Sequence, residues 1–354
     1  MLSVIIPVYN NERYLITTLS HIRNAKYRDL EIIIVDDGSS DKSLDIAYKI
    51  QKEDSRISVY SKENGGVASA RNYGAGKATG EYLCFADQDD IVEPDMYSSM
   101  IDRLEQDASD ICICSSGKLI KNEKYPFDIQ DNALYIGSEI KGNLIYPIIF
   151  ESFDAPIKYK KVRHDPQIWV CVFRRIFWEK NKICFRNYVN YEDDLLVKIE
   201  SLSLAKSVST LPAIGYYWRI HTKSESGSIR YIENIGQKQD KTYQDIINSI
   251  KNIEADENVL FMIKQVIFCK QYIDAIHYLM GAKRKNIEFI KNYYNVNIYN
   301  RNFNESIRVI KYLNTKRIRW KILFLLISHK MTLLSFISEA MINWIEGCWR
   351  KVKW

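Results

Sequence analysis

The chain has 354 residues, of which 46% are hydrophobic and 27% charged; this is ordinary for a folded protein and enough for one large domain with a smaller one. The formal net charge is +6, and residues 315–354 hold all of the excess, with eight Lys or Arg (Lys316, Arg317, Arg319, Lys321, Lys330, Arg350, Lys351, Lys353) against Glu339 and Glu346, which argues against a nucleic-acid-binding surface on the body of the protein. The seven cysteines are scattered and include no C-x-x-C pair, which argues against a disulfide framework or a zinc site and predicts free thiols in a reducing compartment.

Leu2 to Tyr9 is β-branched and reads as a strand; it is too short for a secretory leader, so the cytoplasm is the expected location. Glu12 to Asn24 is helical. Leu30 to Val35 is apolar throughout, as a strand buried on both faces should be. It ends at Asp36-Asp37-Gly38-Ser39-Ser40-Asp41, where Asp41 can cap a helix running to about Lys52. Ile57 to Ser61 is a third strand, Gly65-Gly66 opens a helix to about Ala78, Gly80 to Ala86 is a fourth strand, and Pro94 to Gln106 is a helix. Such repeats predict an α/β fold, a mostly parallel sheet flanked by helices, with ligands beyond the carboxyl ends of the strands. That rule singles out loops 9–12, 36–41 and 87–93.

The middle of the chain is mixed. Strands are expected over Ile111 to Ser115, Val170 to Phe173, Val208 to Leu211 and Ile214 to Arg219, and helices over Gly137 to Phe150 and Tyr191 to Ala205. From about Tyr231 the pattern is long and helical, which places a boundary near Ser228. The expected division is an α/β domain over 1–228, in two halves to about 115 and over 116–228, then a helical region over 229–354.

Three acidic clusters fall at the ends of these elements. Asp36 and Asp37 can accept hydrogen bonds from a base N–H or a ribose hydroxyl, although one aspartate is also what a turn or helix cap requires. In Asp87-Gln88-Asp89-Asp90, three carboxylates repel one another unless a cation compensates. Asp87 and Asp89, two apart in an extended loop, would point to one side and suit a hard divalent ion; a solvated acidic turn is the plainer alternative. Tyr191-Glu192-Asp193-Asp194 begins an apolar-periodic helix, where acids are favoured by the helix dipole and where one could serve as a general base.

Ser3-Val-Ile-Ile-Pro-Val-Tyr-Asn10, Val35 to Asp41, Asn64-Gly-Gly-Val-Ala-Ser-Ala-Arg-Asn72 with Gly74, Phe85 to Asp90, and Glu192-Asp193 occur in this order. Together they resemble glycosyltransferase family 2, of the GT-A fold, over about residues 1–228; Tyr216 to His221 followed by Ser226 resembles the end of that catalytic domain. Gln88 stands where Ser is commoner. The resemblance implies an inverting transferase using a UDP-sugar and Mn²⁺ or Mg²⁺. Asp37 would contact uracil with Asp36 in support, Pro7, Tyr9 and Asn10 would shape the nucleoside site, and Arg71 would reach the nucleotide or its diphosphate. Asp89 would be the principal metal ligand, Asp87 would lie toward the ribose or metal, and Asp193 would be the base. Arg219 and His221 are candidates for the diphosphate or acceptor region, with a packed histidine an equal alternative for His221. A sugar nucleotidyltransferase is disfavoured because Asn10-Asn11-Glu12 is neither glycine-rich nor basic. A catalytically inactive assembly subunit is disfavoured because Asp37, Asp89 and Asp193 are all present.

In the tail, Leu334, Ile337, Met341, Trp344, Ile345 and Cys348 fall on one helical face, and Trp320, Trp344, Trp349 and Trp354 lie beside the basic clusters. His329-Lys330 interrupts the apolar run, so a spanning helix is not expected. A helix lying on an anionic membrane is, with packing on the protein or on a second copy as the alternative. Membrane contact at the inner face would suit a polyprenyl-linked glycan acceptor in bacterial surface polysaccharide synthesis.

Overall fold

The computed structural model describes residues 1–150, 167–186, 193–221, 235–254, 256–280, 282, 286–299, 322–323, 325–327 and 329–337. The chain forms two compact units, Met1–Ile148 with Tyr159–His221, and Ile149–Lys158 with Thr222–Trp354. The expected boundary residue, Ser228, lies outside the described residues.

The first unit is built on one ten-stranded sheet of order β3-β2-β1-β4-β9-β6-β10-β5, with β7 on β6 and β8 on β10. Its strands are β1 (Leu2–Val8), β2 (Leu30–Asp36), β3 (Ile57–Ser61), β4 (Tyr82–Phe85), β5 (Ile91–Val92), β6 (Ile111–Ile120), β7 (Glu123–Asp128), β8 (Ala133–Ile136), β9 (Cys171–Arg174) and β10 (Ser207–Ile220). The half formed by β3, β2, β1 and β4 is parallel throughout, as expected of strands connected through α1 (Leu15–Arg23), α2 (Ser43–Glu53) and α3 (Val67–Ala75). Every residue of β1 is buried, which is why its sequence is apolar on both faces rather than alternating.

Pro7 is compatible with this central strand for a specific reason. The ladder from β1 to β4 covers Leu2 to Ile5 only. The carbonyl of Ile5 accepts from Ala86 N at 2.9 Å on the β4 side, and Pro7, two residues on, faces the same side, so its missing N–H falls where the ladder has already ended. The two strands therefore part at Pro7, and the crevice opens there. Gly74 sets the height of α3 over this sheet: a Cβ on it would lie 2.5 Å from Ile5 Cγ2, so only glycine lets the helix approach so closely.

The other half of the sheet is mixed. β9 runs antiparallel to both β4 and β6, while β6 and β10 are parallel. The expected strands over Val208 to Leu211 and Ile214 to Arg219 are one strand, β10, whose register on β6 shifts between Leu211 and Ile214; Pro212, which cannot donate to a ladder, sits in the irregularity. The short strands β5, β7 and β8 and helix α7 (Arg175–Lys180) were not expected, because β5, β8 and α7 are too short to show a period and β7 is largely polar with a proline in it. α4 (Met96–Asp107) is the helix expected over Pro94 to Gln106. The helix expected over Gly137 to Phe150 forms as α5 (Ser138–Ile140), a π-helical segment (Lys141–Ile145) and α6 (Tyr146–Phe150). The last helix, α8, runs Asp193–Leu204 and presents Leu196, Val197, Ile199 and Leu202 to the core.

The second unit is helical where it is described. α9 (Ile235–Lys251) buries Ile235, Gln239, Thr242, Tyr243, Ile246 and Ile250, the spacing of one helical face. α10 spans Glu257–Met280 and α11 spans Ile287–Tyr294, whose N-cap Asn286 accepts from Phe289 N at 2.8 Å. At His329-Lys330 the expected interruption has a backbone form: Lys330 takes φ 54° and Met331 N donates to Leu326 O at 2.8 Å, a left-handed helix stop. Among the described residues no helix is long and apolar enough to cross a membrane. Residues 300–321 and 338–354, which hold seven of the eight basic residues and all four tryptophans of the tail, lie outside the described residues.

Candidate active site

The loops that follow β1, β2 and β4 are joined by hydrogen bonds. Asn10, in the left-handed region at φ 48°, donates its N–H to Ser39 Oγ at 3.0 Å and accepts on Oδ1 from Ser40 N at 2.8 Å and Asp41 N at 3.3 Å. Asn10 thus ties β1 to the β2 loop with its own side chain. Asp41, expected as a helix cap, accepts from Ser43 N at 2.9 Å and also from Glu12 N at 3.0 Å, so it serves both loops. On the other side, Tyr9 N donates to Gln88 Oε1 at 2.8 Å and Gln88 Nε2 donates to Tyr9 O at 3.2 Å. The Tyr9 residue is itself exposed (48%).

Asp36 and Asp37 are both buried but do different things. Asp36 holds the turn, accepting from Ser39 N at 3.3 Å and from Ser61 Oγ at 3.2 Å. Asp37 reaches across to the loop after β3: it pairs with Lys62 Nζ at 2.6 Å and accepts from Gly65 N at 3.0 Å and Gly66 N at 2.7 Å. Sequence reasoning did not single out Lys62; a lone lysine after a strand carries no local signal.

Asp87 and Asp89 do not point to a common side. Residues 88 and 89 form a turn rather than an extended segment, with Asp90 N donating to Asp87 O. The alternation that would align the two carboxylates is lost. Asp87 faces Arg71 Nη2 at 2.8 Å, and its N–H donates to the Tyr216 hydroxyl at 2.9 Å. Asp89 faces His221, with Nε2 2.8 Å from Oδ2. Asp90 is buried and accepts from Arg219 N at 2.8 Å. Burial pushes the Asp89 carboxyl above its usual range, the nearby Asp87 charge adding to this and the His221 ring opposing it. Burial pushes Asp90 well up, helped by the charges of Asp89 and Asp87. Ionising this cluster therefore has a cost that a bound cation would offset.

Arg71, on α3, is buried at 4% side-chain exposure and bridges Asp87 to Asp194 Oδ1 at 2.5 Å. Its guanidinium lies 5.0 Å above the Phe185 ring. Next to it, Asn72 and the backbone of Phe185 exchange two hydrogen bonds of 2.8 Å, which fixes α3 against the segment after α7. Asp193 is the first residue of α8, immediately before Arg71's partner Asp194. The Tyr216 ring, fully buried, stacks on Trp169 at 4.1 Å. Arg219 Nε donates to Asp89 O at 2.7 Å, and its guanidinium lies 4.9 Å from the Tyr14 ring, so Arg219 supports the acidic loop from below.

Among the described residues no group of three or more His, Cys, Asp or Glu is placed to hold a metal ion. Asp89 and His221 nonetheless bring one oxygen and one nitrogen donor together from two elements, a donor pair that a divalent ion such as Mn²⁺ accepts when a ligand supplies further oxygens.

A sheet of this order, with acidic loops stitched at the carboxyl edge of its parallel half and further acids on a helix beside them, defines a GT-A glycosyltransferase. The family model for glycosyl transferase family 2 matches residues 3–179, half of the chain, and the chain belongs to that family. EpsH from Bacillus subtilis (strain 168) is 33% identical over 224 residues, which cover 63% of this chain and 61% of EpsH, so the match spans less than two thirds of that relative. S. aureus TarS 1-349 in complex with UDP superposes with a TM-score of 0.66 at 18% identity, over 97% of this chain and 91% of that one. Mannosyltransferase PcManGT from Pyrobaculum calidifontis, in complex with GDP-Man and Mn²⁺, gives a TM-score of 0.51 at 15% identity, over 97% and 86% of the two chains. At such identities the likeness is one of fold.

Proposed function

We propose that this glycosyltransferase moves a sugar from a UDP-sugar to a hydroxyl of a glycan acceptor, with inversion at the anomeric carbon. The observation that carries this reading is the meeting of Asp89 and His221 at 2.8 Å, beside Arg71 and the acids that open α8. S. aureus TarS 1-349, crystallised with UDP and with UDP-GlcNAc, shares the fold, which supports a uridine nucleotide as donor.

Asp89 and His221 would hold a Mn²⁺ or Mg²⁺ ion; when bound, that ion offsets the negative charge that grows on the departing diphosphate. Asp37, Pro7, Tyr9 and Asn10 border the nucleoside end. Arg71 holds Asp87 and Asp194 in place and supplies positive charge under the diphosphate. Asp193, at the start of α8, accepts the acceptor hydroxyl's proton as the new bond forms. A single base opposite the leaving group gives one displacement and hence inversion.

The acceptor is a lipid-linked glycan of a bacterial surface polysaccharide, assembled at the inner face of the membrane. Support comes from the tail: its basic excess and the exposure of Leu334 (48%) and Ile337 (50%) suit an anionic interface. Sedimentation with anionic but not neutral vesicles is expected; equal indifference to both would remove the membrane part of the proposal.

The experiment that tests the reaction is release of UDP from UDP-glucose, UDP-galactose and their N-acetylated forms, with Mn²⁺ or with EDTA, by wild type and by Asp193→Asn. Metal-dependent release from one donor, lost in the variant, is expected. Failure of the folded wild type to bind UDP in the presence of Mn²⁺ would overturn the proposal.

A further inference from the structure

Lys62 is the first residue after β3, and its ammonium is held in place from two sides. It pairs with Asp37 Oδ1 at 2.6 Å and donates to its neighbour's carbonyl, Glu63 O, also at 2.6 Å. Asp37 in turn is enclosed by donors: both of its oxygens accept from Gly65 N, at 3.0 and 3.2 Å, and Oδ2 accepts from Gly66 N at 2.7 Å. The Asp37 side chain is 4% exposed, that of Lys62 20%. Of this pair, the lysine is the more exposed partner. The space beside it is kept by a glycine, since a Cβ on Gly65 would lie 3.0 Å from Lys62 Nζ and 2.8 Å from Ser69 Oγ. A side chain at position 65 would require the ammonium to give by a few tenths of an ångström and the Ser69 hydroxyl to shift.

We infer that Lys62 is a base-reading residue, held in place by Asp37. This rests on the proposal that the site binds a uridine nucleotide. An ammonium has three N–H donors, two of which are used by Asp37 and Glu63. The third is presented at the carboxyl edge of β3, next to the loops of β1 and β2 that border the nucleoside. A fixed donor there selects a base with a carbonyl oxygen on its hydrogen-bonding edge. Uracil has one on each side of its N3–H. Cytosine places an amino group at one of these positions, so a donor would face a donor, and it lacks the N3–H that could approach the carboxylate behind Lys62. A site that presents a polar group rejects the analogue that leaves that group unpaired far more strongly than it rejects a change of size. The preference of the site for uridine over cytidine nucleotides therefore comes from an ammonium as well as from a carboxylate.

The test is equilibrium titration of the full chain with UDP, CDP, 2-thio-UDP and 4-thio-UDP in the presence of Mn²⁺. A thiocarbonyl sulfur accepts hydrogen bonds more weakly than oxygen, while both analogues retain N3–H. Wild type should bind 4-thio-UDP about tenfold more weakly than UDP, because position 4 is where cytosine carries its amino group; weakening with 2-thio-UDP alone would overturn the inference, since cytosine keeps that carbonyl. Lys62→Met should reduce the preference for UDP over CDP by about tenfold, and Lys62→Arg should retain most of it. Equal binding of UDP and both thio analogues by wild type would overturn the inference without any variant having to fold. So would an unchanged UDP-to-CDP ratio in folded Lys62→Met. In either case UDP still binds, so the uridine-nucleotide reading survives; loss of UDP binding by wild type itself would instead overturn both.

Discussion

Gln88 and Tyr9 exchange two hydrogen bonds, the amide oxygen accepting from Tyr9 N at 2.8 Å and the amide nitrogen donating to Tyr9 O at 3.2 Å. The middle residue of Asp87-Gln88-Asp89 thereby fixes the acidic turn to the end of β1, at the point where β1 and β4 have parted. A serine at this position is too short to make both bonds. Gln88→Ala is expected to weaken UDP binding about tenfold, the value of two partly exposed hydrogen bonds, with little change in melting temperature. Titration and thermal denaturation check this together; unchanged affinity would reduce the clamp to a surface contact.

Asp193 and Asp194 are adjacent and should fail in different ways. Asp193→Asn is expected to cut transfer by about 10²- to 10⁴-fold, the range for a general base, and to leave UDP binding nearly intact. Asp194→Asn removes a charge from Arg71, which is 4% exposed. Asp87 still faces the guanidinium, so the loss of stability should be about 1.5 kcal/mol, that of a hydrogen bond to a charged group rather than of an orphaned buried charge. Loss of nucleotide affinity in well-folded Asp193→Asn protein would count against the base assignment.

At the metal pair, Asp89→Asn is expected to abolish the difference in UDP affinity between Mn²⁺ and EDTA, and His221→Ala to reduce it about tenfold or more. Without metal, the same Asp89→Asn change should leave the melting temperature equal or raise it, because burial makes the ionised carboxylate costly in the empty cluster. A metal-free variant much less stable than wild type would show that Asp89 is there for structure.

Acid sensitivity should arise partly at Asp54, away from the site. Arg56 and then Arg23 hold its carboxyl below the usual range, with Arg56 Nη2 at 2.7 Å and Arg23 Nε at 3.1 Å. A group with a depressed folded pKa contributes stability above its unfolded value of about 3.9, and that contribution is lost as the pH falls toward the folded one. Asp54→Asn should therefore melt a few degrees below wild type at pH 7, with the gap closing below about pH 4. A gap that does not depend on pH would mean that shape rather than charge is lost.

Much of the site was legible because it lies at strand ends. The apolar runs over Leu2 to Val8, Leu30 to Val35 and Tyr82 to Phe85 fixed the parallel half, and the ligand edge of such a sheet follows from topology alone. The acids at 36–37, 87–90 and 193–194 were visible as clusters too dense for caps. Partnerships were less legible. Alternation placed Asp87 beside Asp89, but the turn at 88–89 sends Asp87 to Arg71 and Asp89 to His221.

The sequence by itself determined the elements of the parallel half of the sheet, their order along the chain and the stretches of chain that carry chemistry, because burial on both faces and helical periodicity are written in consecutive residues. Only the tertiary structure decided which side chains meet. Lys62 reaches Asp37 from the next strand end. Arg71 joins acids 16 and 123 residues away, and His221 finds Asp89 across a separation of 132. The physical reason is the sheet itself. Strands distant in the chain lie side by side, β1 against β4 and β6 against β10, and the loops and helix starts at their ends, which carry these side chains, are thereby brought together.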